Sequence, residues 1–173
     1  MKRNIIFLVF TILFLSTKPV WGQFSSATIG INGLTCSMCS YSVESAIRPL
    51  LFVKSIEMDL NKNVATIFFK EGSKPDFNKL VKKVFEAGFS VRFVVANLNV
   101  EKAIQNESLL VQDKTYKIIN FSQEIPVGEV KLKLLGKGFL PKSGLKEAIV
   151  SLPSSLTKEA KSGKIILAKI VYP

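Results

Sequence analysis

The sequence predicts an α+β chain: a βαββαβ unit over residues 23–98, a linker at 99–106, and a small β-rich domain of unknown role over 107–173, built as a sandwich or a partly open barrel. Three observations carry this. Two segments place apolar residues at helical spacing and several others alternate as strands do; Gly, Pro and Asn stand where these segments meet; and from Asn97 to Asn106 the composition turns polar before short strand signals resume.

Ahead of the first strand, Met1-Lys2-Arg3 is followed by the apolar run Ile5–Leu15 and by Val20-Trp21-Gly22. A basic start, an apolar middle and a small residue at the end are the layout of a secretory signal peptide, residues 1–22, cleaved between Gly22 and Gln23. A bilayer crossing needs about 20 apolar residues, and Lys18 interrupts this run too soon. The expected product is extracytoplasmic, in the periplasm or secreted, and is not an integral membrane protein. The leader carries Lys2, Arg3 and Lys18 and no acid, so its loss lowers the formal charge from +11 to +8. The lysines are dispersed, which reads as a solvated surface with a weak attraction for anionic partners. Export also argues against nucleic acid as a ligand.

Ala27–Ile31 is short and β-branched, a first strand. Ser40–Leu50 carries Val43, Ile47 and Leu50 on one helical face, and Pro49 ends it because its ring disfavours helix at Arg48. Val53–Leu60 alternates, Asn61-Lys62-Asn63 turns, and Val64–Phe69 returns, which is a hairpin signal. After Lys74-Pro75-Asp76, the residues Phe77, Leu80, Val81, Val84 and Phe85 form a second apolar face, and Gly88 stands where helices stop in a left-handed residue. Phe89, Val91, Phe93 and Val95 alternate as a last strand. This order is the split βαβ, ferredoxin-like arrangement. In the carboxyl-terminal part, Leu109–Gln112, Thr115–Phe121, Val130–Leu135, Ala148–Leu152 and Ile165–Tyr172 read as short strands between Gly-, Pro- and Ser-rich breaks. Residues 107–173 hold no cysteine, no histidine and no glycine-rich phosphate loop, so nothing in them predicts catalysis. Lys131, Lys133 and Lys137 alternate along one of these strands, as lysines guarding a sheet edge do.

The chemistry concentrates in two cysteines, Cys36 and Cys39, the only two in the chain, where the first strand gives way to the first helix. The positive end of a helix favours negative charge by about 0.3–1 kcal/mol at an exposed site, so a thiolate forms more readily there. Three chemistries use a Cys-x-x-Cys pair. As a structural disulfide it closes a loop so short that chain entropy gives only about 2 kcal/mol. As a thiol–disulfide redox pair it lacks the proline between the sulfurs that thioredoxin-like proteins carry; Ser37-Met38 stands there instead. As a metal site it is too poor for zinc, which takes three or four protein ligands, in a chain without histidine. Soft thiolates instead select monovalent copper and similar ions, for which two sulfurs suffice.

The stretch "GLTCSMCSYSVESAI", Gly33–Ile47, resembles the Gly-Met-x-Cys-x-x-Cys signature of heavy-metal-associated domains, a family that includes copper chaperones and periplasmic mercury-binding proteins. "LNKNVATIFF" and "LVKKVFEAGFSV" are similar to its second hairpin and to its second helix with the following turn, so the resemblance spans about residues 26–96. It implies a non-enzymatic protein in which Cys36 and Cys39 bind Cu(I) or another soft ion, Ag(I), Hg(II) or Cd(II), and exchange it with a donor or acceptor protein such as a membrane metal transporter. It further implies that Phe89 limits access to the pair, that Val43 packs beneath it, and that Leu34 supports the loop in place of the family's Met. Thr35 flanks the pair, and Met38, between the cysteines, reads as an exposed, solvent-facing residue in preference to a soft auxiliary ligand.

Overall fold

A computed structural model describes residues 22–122, 124–150, 152, 154–161 and 165–171. The expected signal peptide lies outside these residues, apart from Gly22. The chain forms β1 (Gly22–Asn32), α1 (Ser37–Ile47), β2 (Val53–Asp59), β3 (Val64–Phe69), α2 (Phe77–Glu86) and β4 (Ser90–Val100), the βαββαβ order expected. There follow β5 (Ser108–Val111), β6 (Lys114–Ile118), β7 (Gly128–Leu135), α3 (Lys142–Val150), α4 (Ser154–Lys161) and β8 (Ile165–Val171).

All the strands join one sheet in the order β2-β3-β1-β4-β7-β8-β6-β5. The first four positions are the ferredoxin-like half, with β1 central and antiparallel to both β3 and β4. The class is α+β with a strand-rich carboxyl-terminal part, as expected. Those later strands do not close into a sandwich or a barrel; β7 pairs antiparallel along β4 from Val95↔Lys133 to Val100↔Gly128 and extends the sheet. The reason lies in β4, which runs on through Asn99 and Val100, where a linker was expected, and so offers a long edge whose backbone groups need partners. β8 then lies between β7 and β6, parallel to β6. The β5–β6 hairpin turns through Gln112 and Asp113 with φ of 50° and 70°, the left-handed pair that a two-residue hairpin loop requires.

Of Ala148–Leu152, expected as a strand, residues 148–150 instead end α3. A short apolar run has no period that separates strand from helix; here the helix starts behind Pro141, whose carbonyl accepts from the Leu145 N–H at 2.9 Å.

One apolar core runs under both halves. Phe24 of β1 meets Phe77 of α2 edge to face at 5.0 Å and Tyr116 of β6 at 5.3 Å between ring centroids. Beside this trio, Gln112 donates to the Ser73 carbonyl at 2.7 Å, and Lys114 pairs with Asp76, the N-cap of α2. Among the described residues, no helix is long and apolar enough to cross a membrane.

Candidate metal centre

The loop between β1 and α1 begins at Gly33, whose φ of 89° lies in the left-handed region that glycine enters without steric cost. Leu34 then turns inward and is fully buried, and the Thr35 N–H donates back to the Gly33 carbonyl at 2.9 Å. This anchored turn delivers Cys36 in an extended conformation as the N-cap of α1.

Helices leave their first N–H groups unsatisfied, and Ser, Thr, Asp or Asn oxygens usually accept from them. Here the acceptor is a sulfur: the Cys39 N–H donates to Cys36 Sγ at 3.2 Å. The Cys36 carbonyl accepts from the Ser40 N–H at 3.2 Å and from the Ser40 hydroxyl at 3.4 Å. No acidic residue stands in the first turn of α1, so no carboxylate competes with the sulfurs for the positive helix end. Both thiols are free, Cys36 exposed and Cys39 half-buried.

The Cys39 thiol is held below the ordinary cysteine range. The main cause is its hydrogen bond with the Cys36 side chain; partial burial opposes the shift, and hydrogen bonds from the Cys36 backbone and from the Thr35 side chain and backbone add to it.

Of the other residues picked out in the sequence, Val43 is fully buried one turn below Cys39, and Cys39 itself packs on the core. Phe89 comes from the far side of the fold. The α2 helix ends in a reversal in which the Gly88 N–H donates to the Phe85 carbonyl at 2.9 Å and the Phe89 N–H to the Val84 carbonyl at 3.1 Å, the bond pattern of a Schellman cap. Gly88 has φ of 91°. The cap sets the half-buried Phe89 ring against the loop, 3.6 Å from where a Cβ on Gly33 would lie. Met38 is 71% exposed on the solvent side of α1, and Tyr41 beside it is 65% exposed. Ser40 was not singled out from sequence, although a hydroxyl four residues after an N-cap sits where it can reach the cap carbonyl. Among the described residues, no group of three or more His, Cys, Asp or Glu side chains gathers at one place. The arrangement is therefore a two-sulfur site, open on the Met38 and Tyr41 side and closed by Leu34, Val43 and Phe89 beneath and beside it.

The model of the heavy-metal-associated domain matches residues 28–90, which span this whole arrangement. The mercuric transport protein periplasmic component of Alcaligenes sp is 31% identical over 71 residues, 41% of this chain and 77% of that protein. Its counterpart from Shigella flexneri is 27% identical over 74 residues, 43% of this chain and 80% of that protein. Among solved structures, oxidized MerP from Ralstonia metallidurans is 28% identical with a TM-score of 0.36, the match covering 40% of this chain and 97% of that one.

Proposed function

Because the chain belongs to the heavy-metal-associated domain family, we propose that it is an exported carrier that takes one soft metal ion between the sulfurs of Cys36 and Cys39 and buffers it or hands it to a partner. The observation that carries this reading is the pair itself: one sulfur caps α1, the other lies in its first turn, and both are free and reachable. Two thiolates satisfy a monovalent copper ion, and the same donor set serves Ag(I), Hg(II) and Cd(II). The relatives' description as periplasmic mercuric transport components supports a soft ion as cargo and an extracytoplasmic place of work. It also supports a membrane metal transporter as the recipient.

Transfer follows from the open side of the site. A sulfur of the partner enters past Met38 and Tyr41, bonds to the ion, and displaces first one of the chain's sulfurs and then the other. The lowered Cys39 thiol gives up its proton to an incoming ion more readily than an ordinary cysteine does.

The test uses residues 22–173, which carry every described element, reduced and free of metal, in competition with a chelator for Cu(I). One ion per chain is expected. Cys36→Ser and Cys39→Ser each weaken binding by roughly a hundredfold or more, since changes behind a ligand alone cost about 10–100-fold. Equal competition by wild type and both variants overturns the assignment. The same lowered thiol also suits thiol–disulfide exchange; rapid turnover in an insulin-reduction assay, with no metal dependence, would favour that reading.

A further inference from the structure

Lys131 and Lys133 read as guards of a sheet edge in the sequence, yet β7 is an inner strand, flanked by β4 and β8. Guarding an edge is therefore not their role. Lys133 stands directly opposite Lys169 of β8, and Lys131 lies two residues along the same side, opposite Val171. Like charges facing each other across two strands destabilise the pairing, and among the described residues no ion pair takes up Lys131, Lys133 or Lys169. Glu129 opens the same side of β7 without closing an ion pair on Lys131. Lys131 and Lys169 are exposed and Lys133 is half-buried.

The side of the sheet follows from register. Phe24, which touches Phe77 of α2, pairs with Leu98, and Leu98 pairs with Val130, so Val130 and Leu132 share the face under the helices. The lysines alternate with them and stand on the face turned away from α1 and α2. On that same face Val95 lies opposite Lys133 and Asn97 opposite Lys131. Further along, the Phe93 ring lies flat across Gly30, where a Cβ would come within 2.5 Å of it, and Arg92 holds its guanidinium 5.3 Å from the ring centroid. The half-buried ring of Phe68 stands on this face opposite Ser26.

We infer that this face docks on an anionic phospholipid surface. The cations stand on the neighbouring strands β7 and β8 instead of converging on one point, which suits a layer of phosphate headgroups better than a single acidic side chain; beyond them the same face is closed, where Leu135 and Leu167 pair and are buried. The half-buried rings of Phe68 and Phe93, to one side of the lysines on β3 and β4 of the same face, suit the depth at which such rings settle at a membrane interface. Lysines close to an anionic leaflet each add attraction that salt screens. Docked in this way, the chain is held at the membrane by a face that is distinct from the two-sulfur loop.

Residues 22–173 are sedimented with vesicles of phosphatidylcholine, with and without phosphatidylglycerol. Binding to the phosphatidylglycerol vesicles, released by salt, is expected. Lys131→Gln, Lys133→Gln and Lys169→Gln together weaken it on the order of a hundredfold. The charge-matched set Lys79→Gln, Lys82→Gln and Lys83→Gln, on α2, leaves it within about twofold of wild type, as net charge alone contributes little once screened. Circular dichroism verifies the fold of each variant. A chain lacking both cysteines sediments as wild type does, so the outcome is separate from that of metal binding. The inference is overturned if wild type does not sediment, if the α2 set loses as much as the sheet set, or if the sheet lysines are needed only for binding polyglutamate.

Discussion

The sulfur of Cys36 accepts the backbone N–H of Cys39 at 3.2 Å, so one atom serves both as the cap of α1 and as a proposed metal ligand. Stability and metal binding therefore share a residue, and substitution can separate them. Serine is a favoured N-cap and alanine is not, the difference being about 0.5–2 kcal/mol. Cys36→Ser is expected to leave the urea midpoint of the reduced, metal-free protein near that of wild type, while Cys36→Ala lowers the midpoint in proportion to an unfolding free energy reduced by up to about that amount. Both lose the ion. Equal midpoints for the two variants would show that the sulfur does not cap.

A second contact of the pair, the hydrogen bond between the Cys39 thiol and the Cys36 side chain, is the main reason the Cys39 thiol lies low. A lowered acid keeps its thiolate to lower pH, so alkylation of Cys39 by iodoacetamide should reach half its limiting rate at a lower pH in the folded chain than in urea. In Cys36→Ala the folded midpoint moves up toward the unfolded one. Peptide mapping assigns the rate to Cys39, and a folded midpoint equal to the unfolded one contradicts the geometry.

Tyr116 is driven the other way: burial, and behind it the negative charge of Asp76, raise its phenol above the ordinary value. A raised phenol means that the fold holds the proton more tightly than the unfolded chain does. Its contribution to stability is complete below the unfolded value of about 10 and is lost as pH climbs beyond that. Wild type should thus lose stability between roughly pH 10 and the point of alkaline unfolding. Tyr116→Phe should flatten that fall, as read by denaturant titrations along the pH series.

Phe24 touches Phe77 on one side and Tyr116 on the other. Removing a buried ring of this kind costs about 3–5 kcal/mol. Phe24→Ala should therefore destabilise the βαββαβ unit and the later strands together, in a single thermal transition. Two separate transitions, with only the first shifted, would show that the halves melt independently.

Much of the site could be read from the chain because its signals are local. Gly33, Cys36 and Cys39 act through a turn and one helical turn, and the spacing of Phe77, Leu80, Val81 and Val84 marks the buried face of α2 without reference to anything distant. Thr35 was legible only as a flank of the pair, and Leu34 was tied to the loop through the family resemblance. Ser40 was missed because a hydroxyl donating to a carbonyl four residues back leaves no pattern in composition. Phe89 could be tied to the site only through a family resemblance, since 50 residues separate it from Cys39 and the Gly88 cap alone does not say where the ring will land.

In the carboxyl-terminal part the sequence by itself determined that short strands exist, since β5, β6, β7 and β8 all fall on alternating or β-branched runs. It did not determine their partners. Strand alternation marks which side of a strand is apolar, but not which edge the strand will seek, and the polar stretch after Asn97 looked like a boundary because half of β4 faces away from the core. Only the assembled sheet decided that β7 would close the open edge of β4, that Tyr116 would arrive against Phe24, and that Lys133 and Lys169 would meet on inner strands. The physical reason is that helix faces and turns are settled by neighbours in sequence, whereas pairing in a sheet is settled by unsatisfied backbone groups and apolar surface brought together from far along the chain.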